Sequence, residues 1–276
     1  MNVTSSASDH LVGSNYPIRF GKTFLALFGL GLLGVLSLIP LIMTQLDALP
    51  PEMAAMPTPV VVLLSLLNPI ILLAIAVAVG TPLAHRVGLR SLVAEKVRVG
   101  TAVWPNLRPH LPLAFVSGLI FAVVVLGLDQ LMDPFANAEM IGEMPNEGNP
   151  FAQLLLGLLY GGITEELLLR WGFMSLLAWL GWRVLQRGQG TPRPALMWAA
   201  IILAAILFGV GHLPALAGIV VLTPLLIFRT ILLNALGGLL FGWLFWRRNL
   251  ETAMVAHAAT HVGFFIVNMA ALVIGG

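Results

Sequence analysis

The chain has 276 residues, of which 59% are hydrophobic and 9% charged, with 14 Lys and Arg against 12 Asp and Glu and a mean hydropathy of +0.97. An ordinary soluble domain carries about 25% charged residues, so this composition excludes a soluble fold, and the nearly balanced charge implies no nucleic-acid partner. There is no cysteine, which excludes disulfides, thiolate nucleophiles and Cys-ligated zinc or iron–sulfur sites.

Crossing roughly 30 Å of hydrocarbon takes about 20 apolar residues. Seven stretches qualify, near 23–45, 59–84, 112–131, 151–181, 195–214, 225–246 and 252–273. The polar tail 1–22 ends in Arg19 and Lys22, ahead of an apolar run much longer than a signal-peptide core, so that run reads as an uncleaved first span. The expected fold is all-α: a polytopic transmembrane bundle of about seven spans, within a range of six to eight. The apolar segment 216–224 reads either as part of a long sixth span or as a separate re-entrant piece.

Short cytoplasmic loops collect Lys and Arg. Arg19 and Lys22 precede the first span, and Arg86, Arg90, Lys96, Arg98 and Arg108 separate the second from the third. Arg183, Arg187 and Arg193 follow the fourth, and Arg247 and Arg248 follow the sixth. The opposite loops hold Asp47, Glu52, Asp129, Asp133, Glu139, Glu143 and Glu147 with no Lys or Arg. The N-terminus is therefore expected inside and the C-terminus outside. The acidic stretch 129–150 marks an organisational break, giving a cytoplasmic tail 1–22, a three-span region 23–150 and a polar, site-bearing core 151–276.

A charge at the bilayer centre costs at least about 2.5 to 3.5 kcal/mol, so ionisable groups within spans are candidates for function. The fourth span carries Glu165, Glu166 and Arg170. Glu166 and Arg170 stand four apart, on one face of an α-helix, and that pair alone is equally well read as a structural salt bridge. Glu165 lies about 100° round from Glu166 and needs another partner, which a structural bridge does not supply. The fifth span places His212 before Leu213-Pro214, where the helix is expected to loosen. Eighteen residues separate Glu165 from Arg183 and Pro194 from His212, which sets carboxylate and imidazole at equal depth. The seventh span adds His257 and His261, again four apart, though counting from Arg248 leaves them one to two turns shallower.

Glu165, His212, His257 and His261 also make a candidate metal set, because neutral imidazole is a common zinc ligand. Neither a H-E-x-x-H pattern nor a G-x-S-x-G elbow is present. The cofactor is open between none and a divalent metal such as zinc.

Glu165-Glu166-x-x-x-Arg170, Phe208-x-x-x-His212 and His257-x-x-x-His261, on three polar spans in this order, resemble the CPBP family of CAAX proteases and bacteriocin-processing enzymes. The resemblance covers about residues 151–270. It implies an intramembrane endopeptidase acting near the terminus of a membrane-associated protein or peptide. Glu165 with His212 would activate water, Glu166 and Arg170 would support the site, and His257 with residue 261 would stabilise the oxyanion. The family's usual Asn is replaced here by His261, which can still donate one hydrogen bond. The resemblance also implies a site open to the cytoplasmic face. Partners are then membrane lipid and a peptide or membrane-protein substrate, in the plasma membrane if the chain is prokaryotic. Alternatives are a non-catalytic scaffold, regulator or bacteriocin self-immunity protein, which has no need of buried charges, and a proton-coupled transporter, for which internal repeats are expected and absent.

Small-x-x-x-small patterns at Gly157/Gly161 and Gly238/Gly242 read as close helix packing, and Trp104, Trp182, Trp243 and Trp246 as an interfacial belt. Arg229 reads as a snorkelling side chain near the outer end of the sixth span.

Overall fold

A computed structural model describes residues 19–46, 55–136, 149–218 and 220–275. The tail before Arg19, the loop residues Asp47, Glu52, Glu139, Glu143 and Glu147, and the side chain of Asp133 lie outside the described residues. Among the described residues, seven helices are long and apolar enough to cross a membrane: Phe20–Thr44, Thr58–Val87, Val103–Met132, Pro150–Leu185, Pro194–Ala217, Pro224–Arg247 and Leu250–Ile274. The seven expected spans are present, in an all-helical bundle. The third starts at Val103 rather than near 112, because short helical turns through Trp104 and His110 run straight into it.

Proline opens three of the last four spans, at the position where its fixed φ suits a helix and its missing N–H is not needed. Asn149 caps the fourth by accepting from the Phe151 N–H at 2.9 Å, and Thr223 caps the sixth by accepting from the Leu226 N–H at 3.2 Å. That Thr223 cap fixes the start of the sixth span at Pro224. The segment 216–224 is consequently not part of a long sixth span. Leu216 and Ala217 close a short helix, Leu213–Ala217, and residues 220–223 are not helical.

Lipid supplies no hydrophobic force between helices, so close packing relies on small residues. A Cβ on Gly118 of the third span would meet Ala259 of the seventh at 2.8 Å, and one on Gly238 of the sixth would meet the Ala205 Cα of the fifth at 2.5 Å. The fourth span is the centre of the bundle. Its Thr164 hydroxyl donates to the Gly31 carbonyl of the first span at 2.7 Å, its Trp171 fills the notch left by Gly80 of the second, and Ala258 of the seventh covers its Gly162. This central place leaves Glu166 and Arg170 0% and 1% exposed.

The fourth span is also wound differently from its neighbours. Gly157–Glu165 and Leu167–Met174 form π-helix, with i→i+5 bonds and a wider turn than the α-helix. Each residue then advances by less than the α-helical 100°, so residues five apart point in more nearly the same direction than they would in an α-helix.

At the basic end, the Leu250 N–H donates to the Arg90 carbonyl at 2.9 Å. Glu251 accepts from the Ser91 hydroxyl at 2.6 Å and from the Leu92 and Val93 N–H groups at 2.8 and 3.0 Å. A carboxylate thus caps the short helix Leu92–Val99 and complements its dipole. The seventh span consequently begins inside the protein, with Leu250 0% and Glu251 7% exposed.

Candidate active site

Glu165 and His212 meet between the fourth and fifth spans, with Oε1 to Nε2 at 4.0 Å. His257 joins them, its Nε2 3.8 Å from Glu165 Oε2. The depth gap inferred for the seventh span does not exist. Counting from Arg248 fails because the start of that span is drawn into the bundle by its bonds to Arg90 and to the Leu92–Val99 helix.

Two hydrogen bonds fix the imidazoles. His212 Nδ1 lies 2.8 Å from the Phe208 carbonyl. A carbonyl only accepts, so Nδ1 carries the hydrogen and the Nε2 of neutral His212 presents its lone pair to Glu165. His257 Nδ1 lies 2.9 Å from Glu166 Oε1, and the same oxygen lies 3.3 Å from Arg170 Nη1. Glu166 is therefore both the partner of Arg170 and the group that orients His257, while Glu165, as its offset on the helix requires, finds partners elsewhere.

Aromatic rings complete the construction. His257 stacks on Phe241 with centroids 4.4 Å apart, His261 stacks on His257 at 5.2 Å, and His212 stands edge-on to Phe208 at 4.8 Å. The Arg170 guanidinium lies behind both phenylalanines, 4.7 Å from the Phe208 centroid and 5.5 Å from that of Phe241. Such cation–π contacts stabilise a buried cation by about 2 kcal/mol or more when desolvated. His261 rests against the fourth span where Gly157 and Gly161 lack side chains: a Cβ on Gly161 would lie 2.7 Å from His261 Nε2. This glycine pair is a cradle for an imidazole.

The cluster stands at the blind end of a cavity of about 590 Å³. Its walls carry Tyr160, Phe121, Leu233 and Phe264, and its far end carries Asp129, Gln153 and Asn268. In each span the lining stops at the level of Glu165, Phe241 and His257, and no residue on the basic-loop side of them takes part. The family resemblance implies a cytoplasmic opening, and the basic loops are expected on that side. The structure closes that side with Phe208 and Phe241, 5% and 1% exposed.

Three residues were not identified from the pattern of charges. Tyr160 stands five before Glu165 and shares its cavity wall through the π winding, which α-helical counting conceals. Glu251 carries a signal in the sequence, a carboxylate just inside a span, outside the three motifs. Asp129 binds Arg229 at 2.7 and 2.8 Å, so Arg229 is held in an ion pair rather than snorkelling to the surface.

As to a metal, His212 and His257 each donate Nδ1–H to an oxygen, an orientation that frees Nε2 for a ligand. Nevertheless, among the described residues no three His, Asp or Glu are placed to hold one ion together.

Residues 147–263 match the family model described as type II CAAX prenyl endopeptidase Rce1-like. No curated protein and no solved structure matches the chain. The matched stretch runs from just before the fourth span into the seventh, and includes Glu165, Glu166, Arg170, His212, His257 and His261. Over residues 147–263 the chain is therefore similar to the Rce1-like type II CAAX prenyl endopeptidases, a family of membrane proteases.

Proposed function

We propose that this protein is an intramembrane endopeptidase, cleaving a peptide bond near the terminus of a membrane-associated protein or peptide with water activated by Glu165 and His212. The observation that carries this reading is the 4.0 Å approach of Glu165 Oε1 to His212 Nε2 at the end of a cavity. Both atoms are acceptors once Nδ1 of His212 has donated to Phe208. Two acceptors at that spacing suit one water giving a hydrogen to each at ordinary distances of about 2.7 to 2.8 Å, its lone pair turned to the cavity.

As the water oxygen bonds the scissile carbonyl carbon, one of its protons passes to Glu165. The C–N bond then breaks as the amine nitrogen takes up that proton, directly or through His257 Nε2, 3.8 Å from Glu165 Oε2. With Nδ1 bonded to Glu166, neutral His257 has no hydrogen left to give an oxyanion. His257 donates only after taking a proton. The constant donor for the oxyanion is therefore His261, which lines the same cavity.

The test is hydrolysis of apolar fluorogenic peptides by purified protein in proteoliposomes. Glu165→Gln is expected to lower kcat by about 10² to 10⁴, the usual contribution of a positioned general base, with KM little changed. A Gln variant as active as the parent overturns the proposal.

A further inference from the structure

We infer that substrate reaches the site from the face opposite the basic loops, as an apolar peptide segment on the non-cytoplasmic side of the membrane. This deepens the peptidase reading above and rests on it for the word substrate; the direction of access rests on the cavity and on the placement of the basic residues.

The direction follows from which part of each span forms the wall. The fourth span contributes Pro150 to Glu165 but not Arg170, and the seventh contributes His257 to Asn268 but nothing before His257. Likewise the sixth contributes Leu233 to Phe241, and the third Phe121 to Asp129. In every case these are the parts away from Arg90, Arg183 and Arg248. Below the cluster the Phe208 and Phe241 rings stand against the Arg170 guanidinium, which Glu166 neutralises in turn, and this layer is buried. A peptide arriving from the basic side would have to displace a buried ion pair, which leaves an uncompensated charge in the interior. Arriving from the other side it passes the exposed Gln153 and Asn268 and, among the described residues, meets no layer so deeply buried, the Asp129–Arg229 pair at that end being part-exposed.

The nature of the occupant follows from the walls. About 590 Å³ lies within the range of small-ligand sites, so the cavity takes a short stretch of chain and not a folded domain. Phe121, Val125, Leu126, Leu233, Phe264 and Phe265 present carbon to it. Asn234, Tyr160 and Thr260 are the polar groups between, suited to hold an extended backbone. Because twelve of the 14 Lys and Arg lie at the other end, the positive-inside rule puts this mouth on the non-cytoplasmic side. Apolar ends of exported or membrane-anchored polypeptides are thus the class that fits.

The native chain has no cysteine, so single-cysteine variants need no prior substitutions. Leu233→Cys and Leu126→Cys report on the cavity, Asn268→Cys on its mouth and Gln189→Cys on the basic loop between the fourth and fifth spans. Each is treated, in intact cells and in inverted vesicles, with a charged, membrane-impermeant thiol reagent. The cavity and mouth cysteines are expected to react in intact cells, and Gln189→Cys only in inverted vesicles, which also reports a correctly inserted fold. Cavity cysteines that react from the Gln189 side, or from neither side, overturn the inference. In sided proteoliposomes, added apolar peptide is expected to be cleaved only where the mouth faces the added peptide. Absence of cleavage on both sides with one-sided labelling would refute the peptidase reading and leave the access route standing.

Discussion

Glu166 Oε1 takes two partners at once, the His257 N–H at 2.9 Å and the Arg170 guanidinium at 3.3 Å. Glu166→Gln keeps an oxygen for His257 but leaves Arg170 buried without a counter-charge, so a loss of about 3 to 5 kcal/mol is expected. Unfolding in mild detergent measures it, and a variant as stable as the parent contradicts the central role of the pair. His261 invites a sharper comparison. If it gives a hydrogen bond to the oxyanion, His261→Asn retains a donor and stays active, whereas His261→Ala loses about 2.7 to 4 kcal/mol of transition-state stabilisation. If it binds zinc, both variants lose activity and metal together, because Asn is a poor replacement for imidazole. Turnover and metal content of the two proteins decide the matter. At this scale the cost of ionisable groups in hydrocarbon singled out Glu165, Glu166, Arg170, His212, His257 and His261, which the structure brings into one cluster, while the roles given to them are a proposal. Which nitrogen of each imidazole faces the cavity was not readable, because it depends on a carbonyl and a carboxylate brought in by the fold.

The fourth span shows where element-level reading stops. Its position, length and charged residues follow from hydropathy, but its π winding does not. Counting at 100° per residue separates Tyr160 from Glu165, which the structure puts on one cavity wall. The depth of the seventh span was likewise misjudged, because Glu251 and Leu250 tie its start to residues 90–93, far away in sequence. The two glycine patterns, identical on paper, serve different ends. A Cβ on Gly238 would meet the Ala205 backbone at 2.5 Å, so Gly238→Ala forces two helices apart and is expected to cost about 1 to 3 kcal/mol of stability. A Cβ on Gly161 would meet the tip of His261 at 2.7 Å, a ring that can shift. Gly161→Ala is expected to remain folded and to lose up to about 10²-fold in turnover through misplacement of that ring. Equal thermal stability losses in the two variants, with activity retained in Gly161→Ala, would refute the distinction.

For the whole molecule, the arrangement of basic residues predicts an inside N-terminus and an outside C-terminus, and a reporter joined after Gly276 that proves cytoplasmic would reverse it. The three-span region is not a bystander: its third span packs on the seventh and lends Phe121 and Asp129 to the cavity wall. The sequence could not reveal which side of the cluster is sealed, because the seal consists of two phenylalanines that differ from their apolar neighbours only in what stands behind them. That seal has a consequence for the cell. Hydrolysis halfway through a bilayer requires water there, and in an energised membrane a continuous wet path would short-circuit the proton gradient. A well that ends on Phe208, Phe241 and the Arg170 guanidinium admits water to Glu165 while the electrical insulation of the remaining thickness is preserved. Proteoliposomes holding this protein are expected to keep an imposed pH difference as long as empty ones do. Phe241→Ala, by opening the floor, is expected to discharge it faster, so dye-reported decay separates an insulated well from a pore.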